Sequence, residues 1–264
     1  MKEPGRPPTL RITLITAVSF AGYFALFQSF TLIMNMVDGL LGYRLASYVL
    51  TWTLAGIPLV AGAVLIHGWK GSIPSFGIAG NPLQGLLISA LFVLPMMAGG
   101  WLLYPVNGEL TLNQLLASTL LAAFFEEVYF RGFLFGQLFR YTRLGFIPAV
   151  ITGALLFASG HLYQSHDVGV LAGIFATTFM GAVFFAWLYA EWDYNLWVPI
   201  FLHTFMNLAW TVFRVSDNAL GDGMANVFRA TTIALAITGT ILWKRRKGRP
   251  LIINRSTLLV RKIT

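Results

Sequence analysis

Two adjacent carboxylates and a guanidinium interrupt the apolar run between Leu115 and Phe139: Glu126, Glu127 and Arg131. A charge near the centre of a bilayer costs roughly 2.5–3.5 kcal/mol, so three charges in one span need partners or take part in chemistry. Glu127 and Arg131 are four residues apart with the acid first, which favours an intrahelical ion pair. Glu126 lies about 100° round a helix from Glu127 and about 140° from Arg131, so it needs another partner. A carboxyl group in apolar surroundings can act as a general base or acid near neutral pH.

Few other polar side chains lie in apolar runs, and they also occur at helical spacing. His161 follows Phe157 by four residues, and Asn207 follows His203 by four. Glu126 with His161 could deprotonate a water, while His203 and Asn207 could donate hydrogen bonds to the oxyanion formed on a carbonyl. The set Glu126, His161 and His203 could instead hold Zn²⁺ with one open position. Each histidine alone could also be only a polar contact between helices.

The composition indicates the class of protein that must position these groups. The 264 residues are 57% hydrophobic and 11% charged, whereas soluble domains contain about 25% charged residues. Apolar runs of roughly 20 residues predict an all-α, polytopic membrane bundle rather than a barrel. The net charge of +8 includes eight basic residues between Lys244 and Lys262, which we interpret as a topology signal and an attraction to anionic lipid, not as a nucleic-acid surface. The chain has no cysteine, which excludes disulfides and thiolate chemistry.

The hydropathy pattern predicts about eight transmembrane helices, with both basic termini in the cytoplasm. The region His67–Pro82, rich in Gly and Pro, is predicted to be an interfacial linker. The predicted spans are Ile12–Met36, Leu45–Ile66, Leu83–Tyr104, Asn113–Phe139, Gly145–Tyr163, Val168–Ala190, Leu196–Val215 and Met224–Trp243.

Three regions follow from this pattern. They are an N-terminal part with three spans (1–112), a four-helix core that carries the polar motifs (113–215), and a last span with a basic cytoplasmic tail (216–264). Measured at ~1.5 Å per residue from the cytoplasmic span ends, Glu126 is ~20 Å deep, His161 ~24 Å and His203 only ~10 Å. These depths predict that the seventh helix starts earlier in the sequence or is strongly tilted, or that His203 lies outside the cavity that holds Glu126.

The motifs Glu126-Glu127-x-x-x-Arg131, Phe157-x-x-x-His161 and His203-x-x-x-Asn207 occur in this order on successive spans. Together they resemble the CAAX-protease and bacteriocin-processing family of intramembrane endopeptidases, also called the Abi family. The resemblance covers roughly residues 113–215.

The resemblance implies an eight-helix, multi-pass protease of a prokaryotic plasma membrane. It implies that Glu126 and His161 activate water, and that His203 and Asn207 stabilise the oxyanion. Glu127, Arg131 and Phe157 would be supporting residues. The expected partners are the lipid bilayer and a peptide or protein substrate, either lipidated or membrane-embedded. Zn²⁺-dependent and metal-free mechanisms both remain open.

Two other classes of function fit the same residues. A proton-coupled transporter could use Glu126 and the histidines as a relay, and a non-catalytic immunity or scaffold protein would need no chemistry at all. A serine protease is disfavoured, because Ser159 lies ~200° round a helix from His161.

Overall fold

The computed structural model describes residues 9–261, and helix is present in all eight predicted spans. The helices are α1 (Thr9–Gln28), α2 (Phe30–Leu41), α3 (Arg44–Ser75), α4 (Pro82–Phe92), α5 (Leu94–Leu103), α6 (112–141), α7 (Phe146–Ser159), α8 (Val168–Glu191), α9 (Trp197–Val212) and α10 (Gly223–Arg246). A short 3₁₀ turn, Leu162–Gln164, follows α7.

The predicted all-α, multi-pass architecture is confirmed. Within residues 9–261, five helices are long and apolar enough to cross a membrane, and a sixth span results if α4 and α5 are counted together. The predicted number of eight spans and the cytoplasmic position of both termini remain predictions. The five helices are α1, α3, α7 with its 3₁₀ extension, α8 and α10.

Several span boundaries differ from the prediction. The first predicted span is two helices that meet at Ser29, and the third is bent by 45° between α4 and α5. The predicted linker His67–Pro82 is helical as far as Ser75. Glycine in this region marks a kink in α3 and not a linker. Gly68 has φ 71°, a conformation that glycine adopts without a Cβ penalty.

Helix α6 lies at the centre of the bundle and is apolar on most of its circumference. Phe125, Tyr129 and Phe133 are buried in the main core, and the Tyr129 hydroxyl donates to the backbone oxygen of Trp52 at 2.6 Å. The Trp52 and Phe125 rings stack at 5.4 Å. A helix that is hydrophobic all round is an interior helix. Two charged residues of α6, Glu127 and Arg131, are therefore enclosed by protein.

Helix α9 begins inside the bundle. Leu196 and Val198 are fully buried, and the Leu196 N–H donates to the Gly77 oxygen at 3.2 Å. Helix α9 does not start earlier than predicted, because it begins at Trp197. Its buried start nevertheless places His203, only six residues further on, against Glu127 of α6.

The C-terminal tail packs onto the ends of the helices. Glu191 at the end of α8 and Lys244 on α10 form an ion pair of 2.7 Å that is almost completely buried. Glu191 also accepts the N–H groups of Ile252 and Ile253, at 3.0 and 2.7 Å. Lys244 is therefore not the lipid-facing charge that the basic tail predicted, because it neutralises Glu191. Lys262, the last basic residue of that prediction, lies outside the described residues.

Candidate active site

The Glu127 carboxylate is fully buried and has two partners. Its Oε1 lies 2.9 Å from Arg131 Nη1, so the predicted intrahelical ion pair is confirmed. The same oxygen is 2.8 Å from His203 Nδ1 on α9. Because a carboxylate only accepts hydrogen bonds, Nδ1 carries the proton in this contact. Glu127 thus fixes the orientation of the imidazole and leaves Nε2 for other partners.

Glu126 faces the other nitrogen of the same imidazole. Its Oε2 lies 3.8 Å from His203 Nε2, which is too long for a direct hydrogen bond. One water could bond to both atoms, since two hydrogen bonds of about 2.8 Å can span this gap. The Glu126 side chain is 20% exposed, whereas that of Glu127 is 0% exposed. The two neighbouring carboxylates therefore occupy different environments.

Aromatic rings enclose the charged group of Arg131. Its guanidinium carbon lies 4.6 Å from the Phe157 ring centroid and 5.4 Å from that of Phe185. Phe185 on α8 also stacks against the His203 ring at 5.1 Å. Sequence reasoning missed Phe185, because an aromatic residue in an apolar span carries no polar signal. Phe157 has the supporting position that the second motif predicted.

His161 lies two residues beyond the end of α7 and is partly exposed. Its Nδ1 donates to the Phe157 backbone oxygen at 2.8 Å, and its ring lies 4.6 Å from the Phe157 ring. In the described part of the chain no hydrogen bond or ion pair joins His161 to Glu126. The structure therefore places His203, and not His161, beside Glu126.

Asn207 lies one turn after His203, at the interface between α9 and α6. Its Nδ2 donates a long hydrogen bond of 3.4 Å to the Ser118 backbone oxygen. Glu126, His203 and Asn207 thus share the α6–α9 interface, and His161 lies at the end of the neighbouring helix.

The site residues do not form a metal centre in this arrangement. Between residues 9 and 261, no three His, Asp or Glu side chains are close enough together to hold a metal ion. The proposed ligand set of Glu126, His161 and His203 includes only one close pair, Glu126 and His203. The geometry does not fit the Zn²⁺ set, so we derive no chemical step through a metal.

The backbone of α6 changes at the carboxylate pair. Glu126 ends an α-helical stretch, and Glu127 begins a π-helical stretch that continues to Phe135. A second π-helical stretch, Ala117–Leu121, precedes it. π-Helical turns are rare and occur frequently at functional sites. This change in backbone geometry occurs where the candidate site is located.

Residues 108–209 match the family model described as type II CAAX prenyl endopeptidase, Rce1-like. The predicted family resemblance is confirmed. The Rce1-like segment contains all three motifs and ends two residues after Asn207, so α1–α5 and α10 lie outside it. Among curated proteins, none matches the chain significantly. The Rce1-like match implies a protease that acts on peptide or protein substrates.

Proposed function

We propose that the protein is an intramembrane endopeptidase in which Glu126 activates the attacking water. The observation that carries this proposal is the position of His203, with Nδ1 on buried Glu127 at 2.8 Å and Nε2 facing Glu126 at 3.8 Å. A group held by a buried carboxylate on one side and facing a second carboxylate on the other is oriented for proton transfer or oxyanion binding.

The three groups have complementary roles in hydrolysis. Glu126 takes a proton from water as the water oxygen attacks the peptide carbonyl carbon. His203 donates its Nε2–H to the resulting oxyanion, and buried Glu127 stabilises the positive charge on the ring. Glu126 then returns its proton to the departing amine, which balances the reaction. The Phe185 ring, which stacks on the imidazole, keeps it in place.

Asn207 and His161 complete the proposed site. Asn207 Nδ2, which makes a long hydrogen bond of 3.4 Å to the Ser118 oxygen, would be a second donor to the oxyanion. His161 has its proton on Nδ1, so Nε2 is free to accept a proton from the water or to orient it. This assignment keeps His161 in the proton pathway although it does not contact Glu126.

We further propose that the substrates are membrane-associated peptides or proteins, including lipidated ones, and that the enzyme works in a prokaryotic plasma membrane. The matched family is that of CAAX prenyl endopeptidases, which supports testing lipidated peptides alongside unmodified ones. Cleavage of both kinds with equal efficiency would refute a requirement for the lipid.

The test is a comparison of membrane-peptide N- and C-termini by mass spectrometry. Cells express wild type, Glu126→Gln or the matched control Glu109→Gln at equal levels. Glu109 is suitable because its side chain is 87% exposed and pairs with Arg214 in a loop. We expect cleavages that are present with wild type and Glu109→Gln and absent with Glu126→Gln. Identical termini in all three, with every variant inserted, would refute a protease and favour transport or scaffolding.

A second experiment tests the metal. Because Glu126, His161 and His203 do not converge on one point, we expect purified protein to retain cleavage after exhaustive chelation. Loss of cleavage that added Zn²⁺ restores would contradict the metal-free mechanism while leaving the proposed protease activity intact.

A further inference from the structure

Arg229 is a cation inside a candidate membrane span, and no carboxylate in residues 9–261 forms an ion pair with it. It lies six residues after the start of α10, and its Nη1 donates to the Asn226 side-chain oxygen at 3.1 Å. The fully buried cations of the helices are neutralised, Arg131 by Glu127 and Lys244 by Glu191, whereas Arg229 is partly buried. Asn226 carries no charge, so the charge of Arg229 is uncompensated.

The guanidinium is held in a fixed plane. It lies over the Trp210 ring at 4.2 Å, and the Trp210 indole N–H donates to the Asn218 backbone oxygen at 3.2 Å. Gly221 allows the loop 213–222 to lie against the same ring, since a Cβ there would be 2.6 Å from the indole. An arginine presents five donors in a rigid fork, and Asn226 takes only one of them. The remaining donors suit a planar anion.

Trp210 places this cation in line with the proposed catalytic site. It follows His203 by seven residues of α9, which corresponds to about 10 Å along the helix and to within about 20° of the same face. An extended peptide advances about 3.3 Å per residue. The distance between the two positions therefore corresponds to about three residues of substrate.

We infer that Arg229 binds a carboxylate of the peptide substrate, about three residues from the bond that is cleaved. The inference rests on the proposed protease function. The carboxylate could be the C-terminus of the peptide or the side chain of Asp or Glu, since both offer the same planar acceptor. Stacking on Trp210 favours this role over contact with lipid phosphate, because it holds the guanidinium against α9.

The first experiment maps cleaved termini in cells that express wild type, Arg229→Gln, Arg229→Lys or Arg245→Gln. Arg245 is the matched control, because it is an exposed cation at the other end of α10. Cleavages by wild type should have a carboxylate two to four residues from the cut bond. Arg229→Gln should reduce them by about tenfold, Arg229→Lys should reduce them less, and Arg245→Gln should leave them unchanged.

The second experiment changes the substrate instead of the enzyme, so that a folding defect of a variant cannot decide the result. A synthetic copy of a cleaved peptide is compared with copies in which either the C-terminal carboxylate is amidated or the acidic side chain is replaced by its amide. With full-length wild type in phosphatidylcholine vesicles, one of the two amides should lower kcat/KM by about tenfold. The sensitive position identifies which carboxylate Arg229 binds.

Three results would overturn the inference. They are undiminished cleavage by inserted Arg229→Gln, unchanged kcat/KM for both amide peptides, and a variant effect seen only as altered binding of phosphatidylglycerol added to the vesicles. The last would identify Arg229 as a lipid-phosphate site. A complete absence of wild-type-dependent cleavage would instead refute the proposed protease function.

Discussion

Replacing Glu127 by glutamine should destabilise the protein much more than the same change at Glu126. Glu127 and Arg131 have side-chain exposures of 0% and 2%. Removing one partner of a buried pair leaves the other charge uncompensated, which costs about 3–5 kcal/mol. The Glu126 side chain is 20% exposed and 3.8 Å from His203, so its replacement should change the free energy of unfolding by less than about 1 kcal/mol.

Both quantities can be measured in the same preparation. Sodium dodecyl sulfate is titrated into mixed micelles, and unfolding is followed by the fluorescence of the eight tryptophans. Cleavage is measured in parallel on an identified peptide. We expect Glu126→Gln to be stable and inactive. Glu127→Gln should be unstable, and it should also be impaired in kcat because His203 loses its charged partner.

A double variant separates charge pairing from packing. In Glu127→Leu/Arg131→Met both charges of this buried pair are removed, so stability should return to within about 1 kcal/mol of wild type, as hydrophobic replacements of buried pairs often do. Activity should stay lost, since His203 Nδ1 has no acceptor. A Glu127→Gln protein as stable as wild type would refute this reasoning, and so would a double variant no more stable than Glu127→Gln.

Three further changes have defined expected outcomes. His203→Gln should lower kcat by about 10²–10⁴, as expected for loss of a proton-transfer or oxyanion group, in the peptide cleavage assay. Glu191→Gln should weaken the docking of the tail residues 249–261, which hydrogen exchange of their amides would detect as lost protection. Gly56→Ala should destabilise the bundle by about 1–3 kcal/mol in the detergent titration, because its Cβ would overlap the Tyr129 hydroxyl.

Each of these expectations has a contrary result. Near-normal kcat for His203→Gln would remove this imidazole from the mechanism. Unchanged exchange in Glu191→Gln would mean that the other tail contacts, such as the paired bonds from Arg249 to Asp193, are sufficient. For Gly56→Ala the control is Gly39→Ala, where a Cβ meets nothing within 4 Å, and equal stability of the two variants would contradict the overpacking.

Contacts between residues of the same helical segment could be predicted from their spacing in the sequence. The Glu127–Arg131 pair and the contact of His161 with Phe157 both follow from residues four apart. Contacts between helices could not be predicted in this way. Which histidine faces Glu126 depends on how deep α9 begins, and that is set by buried contacts of Leu196 that no local pattern shows.

Charge patterns were also ambiguous at the membrane boundary. Lys244 belongs to a run of basic residues that indicates a cytoplasmic face, yet its ammonium group is 2.7 Å from buried Glu191. Arg229 shows the converse, since it is a cation in the N-terminal third of α10 with an aromatic ring as its main support. Sequence identifies such residues as charged, but their roles depend on partners from distant segments.

The different roles of Glu126 and Glu127 follow from their adjacency. Two neighbouring residues on a helix point about 100° apart, so they cannot share one set of partners. Glu127 faces the interior, where its Oε1 contacts both Arg131 and the His203 Nδ1. Glu127 thus stabilises the buried Arg131 charge, whereas the more exposed Glu126 can exchange a proton with water during a reaction. A chain with only one carboxylate here could either stabilise the buried cation or exchange a proton with water, but it could not do both at the same time.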